Sequence, residues 1–88
     1  MIRRRVIVHG QVQGVFFRDS LRRLADQRSV AGSATNRADG TVEAVFEGEP
    51  EAVEALVELS RRGPSRARVE RVEVLDEEPA GLQGFRVA

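Results

Sequence analysis

Two segments with the apolar spacing of a helix alternate along this chain with segments rich in β-branched residues, and this order limits the possible folds most. The first helical pattern runs from Phe17 to Arg28, with apolar side chains four, seven and eight positions after its first residue. The second begins at Pro50, a residue that suits a first helical position, and ends with two arginines before Gly63-Pro64. The sequence therefore predicts two amphipathic helices.

The remaining segments have the composition of strands. Asp39-Gly40 favours a hairpin between two of them, because the turn needs positive φ. Near the C-terminus Val72 and Val74 alternate with polar residues, but Val69 is out of phase with them. Strands are predicted, in chain order, over residues 3–12, 30–37, 41–47 and 69–75, with a short edge strand over 84–87.

The resulting order is β, α, β, β, α, β with a possible fifth strand, which is the split βαβ arrangement of the α+β, ferredoxin-like sandwich. We expect both helices on one face of a four- to five-stranded, mainly antiparallel sheet. The first and second strands would run parallel with the third between them, so their C-terminal ends would reach the same edge. The loops that leave these ends, residues 11–17 and 36–40, would then lie about 10 Å apart.

A glycine-containing loop joins the first predicted strand to the first helix and ends in an arginine. We expect Gly10 and Gly14 to relax the backbone so that consecutive N–H groups, from about Gln13 to Arg18, turn toward one point. The first helical turn adds its own free N–H groups, and a guanidinium can bind two phosphate oxygens. The loop predicts an anion site. A tight turn beside a surface arginine is the alternative that spacing alone leaves open.

Composition excludes several classes of function. With 41% hydrophobic and 32% charged residues the balance is that of a soluble globular protein, and no apolar run approaches the roughly 20 residues of a membrane span. The chain has no cysteine, so we expect no disulfide or cysteine metal site, and the cytoplasm is the expected location. Basic and acidic residues balance at 14 each, which argues against a duplex-nucleic-acid binder. The length predicts one domain over residues 1–88.

Three motifs of the chain resemble those of acylphosphatases. They read VHGQVQGVFFR at residues 8–18, NRADGTVEAVFEG at 36–48 and GP at 63–64, and the match in order and spacing extends from Val8 to Phe85. The resemblance implies a small cytosolic hydrolase of acyl phosphates, the mixed anhydrides of a carboxylic acid and phosphate. It also implies a ferredoxin-like fold and no metal or organic cofactor.

The resemblance assigns roles to individual residues. Arg18 matches the arginine that binds the substrate phosphate, and Asn36 matches the asparagine that positions the attacking water. Thr41 matches a threonine that helps orient this asparagine. With no general base evident, the resemblance implies that a phosphate oxygen accepts the proton of the water. The residues that match the backbone phosphate cradle are Gln13, Gly14, Val15, Phe16 and Phe17.

The sequence departs from the family's pattern beside Asn36. Ser33, Ala34 and Thr35 stand where the family usually has an aromatic residue, a β-branched residue and an arginine. Ser29 stands where glycine is common. These differences concern the packing of the second strand and the preference for substrate, whereas the pair of Arg18 and Asn36 is retained.

Two other functions of this fold remain open from the sequence. One is a non-catalytic anion-binding module that keeps the cradle without turnover. The other is a nucleic-acid-binding module, which the composition disfavours because the chain has four Phe and neither Tyr nor Trp to stack on bases. His9 is expected to be structural or exposed, and Asp19 to interact with the helix dipole. The expected molecule is a monomer that binds a small acyl phosphate and no membrane.

Overall fold

A computed structural model describes all residues from Met1 to Ala88. Both predicted helices begin and end at the predicted residues, because their apolar spacing and their flanking proline, glycine and arginine residues are local signals. The elements are β1 (Ile2–Gln11), α1 (Phe17–Arg28), β2 (Ala31–Asn36), β3 (Val42–Gly48), α2 (Pro50–Arg62), β4 (Arg68–Glu77) and β5 (Phe85–Val87).

The strands form one mixed sheet in the order β4-β1-β3-β2-β5. All neighbouring strands are antiparallel except β2 and β5, which are parallel. Because β1 and β2 both run antiparallel to the strand between them, they end at the same edge of the sheet. The predicted ferredoxin-like arrangement is confirmed, including the short edge strand at the C-terminus.

The core lies between the two helices and one face of the sheet. Across the central strands, Val6 of β1 is paired with Ala44 of β3, and Val8 is paired with Val42. Each of these side chains is fully buried. Neither helix is long and apolar enough to cross a membrane. The largest buried side chains of this cluster are Phe17, Leu21, Phe46 and Leu56.

The out-of-phase Val69 is explained by a β-bulge between β1 and β4. His9 is paired with Arg71 but Gly10 is paired with Val69, so Glu70 is the extra residue. The bulge brings Val69 to the core side of the strand together with the later valines. Gly10 is required by this bulge, since a Cβ there would lie 2.1 Å from the main-chain oxygen of Arg68. Gly10 thus has a structural role in the bulge of β1, before the loop that contains Gly14.

β5 is held on the edge of the sheet by a contact that reaches across β2. The rings of Phe46 in β3 and Phe85 in β5 stack with centroids 6.1 Å apart and an interplanar angle of 14°. Gly32, paired with both residues, occupies the strand between them. A Cβ at Gly32 would lie 1.7 Å from the main-chain oxygen of Val45. The close approach of β2 and β3 thus requires glycine at this position.

Candidate functional site

The loop between β1 and α1, residues 12–16, is here called the cradle loop, and apolar side chains anchor it. Val12 and Phe17 are 1% and 2% exposed, and Val15 packs against the core. Between them Gly14 and Phe16 are exposed and have left-handed backbones, with φ of 72° and 64°. Packing of these three apolar side chains against the core holds the backbone of the loop in place while it turns.

The backbone N–H groups of the cradle loop have no acceptors within the protein. From Gln13 to Asp19, no N–H group donates to a main-chain oxygen; Ser20 is the first to do so, to Phe16 at 3.0 Å. No side chain accepts from them either. The groups of the first helical turn are free in any α-helix, but those of residues 13–15 extend the run into the loop. Such a run, at the positive end of a helix dipole, attracts anions.

Arg18 lies at the end of this run beside the last residues of the chain. Its Nη1 donates to the main-chain oxygen of Ala88. The N–H of Ala88 in turn donates to the oxygen of Ala34 in β2 at 3.0 Å. Arg18, Gly14 and Val87 are among the residues that line a surface cleft of about 290 Å³. The guanidinium therefore lies in the cleft and close to the C-terminal end of β2.

Gln13 joins the cradle loop to the loop between β2 and β3. Its side-chain amide Nε2 donates to the main-chain oxygens of Arg37 at 2.8 Å and of Thr41 at 2.9 Å. The two loops that the topology brings to one edge are thus directly bonded. The sequence predicted a role for the backbone of Gln13 only, since nothing in its local pattern indicates which distant carbonyls its side chain will reach.

Asn36 is the last residue of β2. In the sequence it lies between Ala34, which accepts a bond from Ala88, and Arg37, which accepts one from Gln13. It follows Ala34 by two positions and so faces the helical layer, where Ala34 is fully buried. Its Oδ1 is buried and has no hydrogen-bond partner. Buried polar atoms are nearly always paired, so an unpaired acceptor indicates a functional role or a bound molecule.

Thr41, to which the resemblance assigns a role in orienting Asn36, makes its own hydrogen bonds to Asp39 and none to Asn36. Its hydroxyl donates to Oδ1 of Asp39 at 2.6 Å, and its N–H donates to the same oxygen at 3.0 Å. Both bonds lower the pKa of Asp39 below its usual value, and the bond from the Thr41 hydroxyl has the larger effect. Thr41 therefore shapes the hairpin loop, whose Gly40 has a φ of 90° as the sequence predicted.

Asp19 lines the cleft but is paired with two arginines, and His9 is paired with a carboxylate on a neighbouring strand. Asp19 pairs with Arg22 at 2.8 Å and with Arg23 at 3.0 Å in the first turns of α1. His9 lies on β1, where its Nε2 is 2.7 Å from a carboxylate oxygen of Glu73 in β4. The sequence pattern revealed no carboxylate for His9, because its partner comes from a distant strand.

The residues that depart from the family's pattern lie outside the cleft. Ala34 is fully buried in the core, while Ser33 and Thr35 lie on the opposite face of β2. Ser29 ends α1 in a left-handed conformation with a φ of 56°, which glycine adopts without strain. The glycine that is common at this position therefore has a conformational reason.

No cluster of three or more His, Asp or Glu side chains that could hold a metal ion exists in the structure. The polar groups at the site are instead backbone N–H groups, one guanidinium and one amide. Such groups bind and orient an anion and a water molecule, and none of them is a strong base.

Comparisons with known proteins agree on one family. The family model described as Acylphosphatase matches residues 4–87. A relative from Thermococcus kodakarensis named Acylphosphatase is 54% identical over 86 residues, which cover 98% of this chain and 94% of the relative. One from Rubrobacter xylanophilus with the same name is 58% identical over 85 residues, covering 94% and 76%. The crystal structure of acylphosphatase from Bacillus subtilis superimposes with a TM-score of 0.94 at 36% identity, covering 100% and 99%.

Proposed function

Because this chain belongs to the acylphosphatase family, we propose that its cradle loop and Arg18 bind the phosphate of the substrates that it hydrolyses. The enzyme converts acyl phosphates to a carboxylate and inorganic phosphate. The observation that carries the proposal is the run of free N–H groups from Gln13 to Asp19. These N–H groups donate to no acceptor within the protein. A phosphate can therefore accept hydrogen bonds from them without breaking any hydrogen bond inside the protein.

Arg18 supplies the positive charge of the proposed site. Its guanidinium donates to the main-chain oxygen of Ala88, and a phosphate oxygen would replace this acceptor when substrate binds. A guanidinium can donate two parallel, charge-assisted hydrogen bonds to phosphate oxygens, whereas Arg18 makes a single bond to Ala88. Arg18 then contacts the phosphate both before and during the reaction, and stabilises the charge on its equatorial oxygens.

Asn36 is proposed to hold the attacking water. Its Oδ1 is unpaired but buried in the free protein, so the side chain would have to turn toward the cleft to accept a hydrogen bond from that water and orient it for attack on phosphorus. The water oxygen forms a bond to phosphorus as the bond from phosphorus to the acyl oxygen breaks. The acyl group leaves as a carboxylate, and the proton of the water passes to a phosphate oxygen. The carboxylate is a good leaving group, so positioning and charge stabilisation suffice.

Two variants separate the roles of the proposed site residues. Arg18→Ala should weaken inhibition by inorganic phosphate and abolish most turnover, because both ground and transition states lose a contact. Asn36→Ala should lower kcat by at least about a hundredfold and leave phosphate inhibition nearly unchanged. The measurements are kcat on an aryl acyl phosphate and the inhibition constant of phosphate, after circular dichroism shows that each variant is folded.

Arg28→Ala is the matched control, since Arg28 is exposed in the last turn of the same helix and has no ion-pair partner. It should leave both parameters unchanged. An Asn36→Ala variant with the wild-type kcat would exclude the water-positioning role. An Arg18→Ala variant with unchanged phosphate inhibition would exclude Arg18 from the phosphate site.

The proposed mechanism needs no metal ion, and the molecule is proposed to act as a monomer in the cytoplasm. The site's own donors can balance the phosphate charge, so turnover should persist in EDTA. Loss of activity in EDTA, restored by a divalent ion, would contradict the metal-free mechanism. Light scattering coupled to gel filtration measures the mass of the native molecule and tests the monomer.

The nucleic-acid-binding alternative has little support. Ferredoxin-like RNA-binding domains stack bases on aromatic side chains of the open sheet face. The open face of β1 and β3 instead carries ion pairs, including Arg5 with Glu43 at 2.8 Å and with Glu77 at 2.6 Å. Phe17 and Phe46 are buried in the core on the other side of the sheet.

A further inference from the structure

Phe16 is the aromatic residue that the protein leaves in solvent. The residue is 68% exposed, whereas the aliphatic residues Leu75, Leu82 and Val87 are between 39% and 47% exposed. Burial of apolar surface is the main stabilising contribution of an aromatic side chain. Phe16 buries little apolar surface in the free protein, so packing within the protein does not explain an aromatic residue at this position.

The backbone of Phe16 is also unfavourable for a bulky residue. With φ of 64° and ψ of 22° it occupies the left-handed region, where only one other non-glycine residue of the chain lies. It is also the N-cap of α1, a position that favours Ser, Thr, Asp, Asn or Gly, and its side chain makes no capping bond. Strained backbones are concentrated at functional sites, where the surrounding structure holds them.

Phe16 lines the same cleft as the phosphate site. The cleft of about 290 Å³ is bordered by Phe16 and Val87 as well as by Arg18 and by Asp19, whose carboxylate is paired with Arg22 and Arg23. An exposed aromatic ring and a half-exposed aliphatic side chain therefore lie beside the guanidinium. This combination suits a ligand that is anionic at one end and apolar at the other.

The side of phosphorus on which the acyl group lies follows from the geometry of the displacement. The attacking water and the leaving group lie on opposite sides of phosphorus in an in-line displacement. The water is proposed to lie at Asn36, whose Oδ1 is buried. A leaving group opposite this buried position would lie toward solvent, and Phe16 is exposed in the same cleft as Arg18.

From these observations we propose that the Phe16 side chain determines substrate specificity by packing against the acyl group, and that it favours acyl phosphates with an aromatic acyl group. The inference rests on the proposed phosphate site, since the phosphate must occupy the cradle loop for the acyl group to reach the ring. An aromatic acyl group can stack on Phe16 and lose its contact with water, whereas a short aliphatic group covers little of the ring.

The test compares benzoyl phosphate with acetyl phosphate. In Phe16→Ala, the ratio of kcat/KM for benzoyl phosphate to that for acetyl phosphate should fall at least about fivefold, the scale of one aromatic contact. Phe16→Gly removes the backbone strain together with the ring, and should lower the ratio by the same factor. Phe16→Tyr keeps the ring and should keep the wild-type ratio. Equal changes for both substrates in Phe16→Ala and Phe16→Gly would overturn the proposal.

Leu82→Ala is the control, because Leu82 is an exposed apolar residue that lines a different cavity. It should leave the ratio unchanged. Failure of this inference is distinguishable from failure of the proposed site. If Arg18→Ala loses phosphate inhibition and turnover while the ratio in Phe16→Ala stays at its wild-type value, only the role of Phe16 is wrong. If Arg18→Ala retains both, the phosphate site itself is wrong.

Discussion

The side-chain amide of Gln13 donates to the main-chain oxygen of Thr41 at 2.9 Å, and this bond joins the cradle loop to the hairpin that follows Asn36. A second bond from the same nitrogen reaches the oxygen of Arg37 at 2.8 Å. The proposed phosphate site and the proposed water site are on different segments of the chain. The Gln13 side chain bonds these two segments to each other and so holds the distance between the two proposed sites.

Gln13→Ala should therefore impair turnover more than phosphate binding. The cradle N–H groups remain, but the distance from the phosphate to Asn36 is no longer held, and in-line attack depends on that distance. We expect kcat to fall about tenfold or more, with the inhibition constant of phosphate changed less than about threefold. Gln11→Ala, an exposed residue at the end of β1, is the control. Equal losses in both parameters would indicate that Gln13 acts on phosphate binding instead.

Ser29→Gly should stabilise the protein. Ser29 has a φ of 56°, a conformation that costs a non-glycine residue about 1 kcal/mol or more. Glycine removes that strain, although it also gives the unfolded chain more freedom, so the expected net gain is about 0.5 kcal/mol. Urea denaturation measures it. The same replacement in β2, Ser33→Gly, should destabilise, and a loss of stability in Ser29→Gly would contradict the strain argument.

Gly32→Ala should destabilise strongly. The added Cβ would lie 1.7 Å from the oxygen of Val45, so β2 and β3 would have to separate, at a cost of about 3 kcal/mol or more. Gly81→Ala is the control, because Gly81 also has a positive φ, of 75°, but a Cβ added there would have no atom within 4 Å. It should cost only about 1 kcal/mol. Similar losses in both variants, measured by urea denaturation, would show that the backbone conformation alone matters.

Glu77 should contribute to stability at neutral pH and lose that contribution in acid. Hydrogen bonds from Arg5, which have the largest effect, and from Arg3 lower the pKa of Glu77 from its ordinary value of 4.5 to about 2. A carboxyl group with a lowered pKa stabilises the fold above its unfolded pKa and ceases to do so as the pH falls through the folded value. The difference in free energy of unfolding between wild type and Glu77→Gln should therefore shrink between pH 4.5 and pH 2.

The measurement for Glu77 is urea denaturation at several pH values in that range. Glu78→Gln is the control, since the neighbouring Glu78 is exposed and has no ion-pair partner. It should show no such trend. A difference for Glu77→Gln that stays constant down to pH 2 would contradict the ion-pair assignment.

How far each element could be predicted depended on the range of the interactions that specify it. α2 was predicted to the residue, because Pro50 and Gly63 mark its ends locally. β4 was predicted short, over residues 69–75, whereas the strand runs from Arg68 to Glu77. The residues missed at its ends, Arg68, Asp76 and Glu77, are polar and extend the strand by pairing with Gln11, Arg4 and Arg3 of β1. Pairing with a distant strand cannot be assigned from one strand's own pattern.

The sequence by itself determined the order of the elements, the fold and the loop that ends at Arg18, because apolar periodicity and turn residues act over a few positions. Tertiary structure alone decided which distant groups meet: Thr41 bonds to Asp39 rather than to Asn36, and Arg18 reaches Ala88. It also decided that Phe16 stays exposed while Phe17 is buried. These outcomes depend on strand register and on the path of the chain between strands, and hydrogen bonds form only where that geometry brings donor and acceptor within about 3 Å of each other.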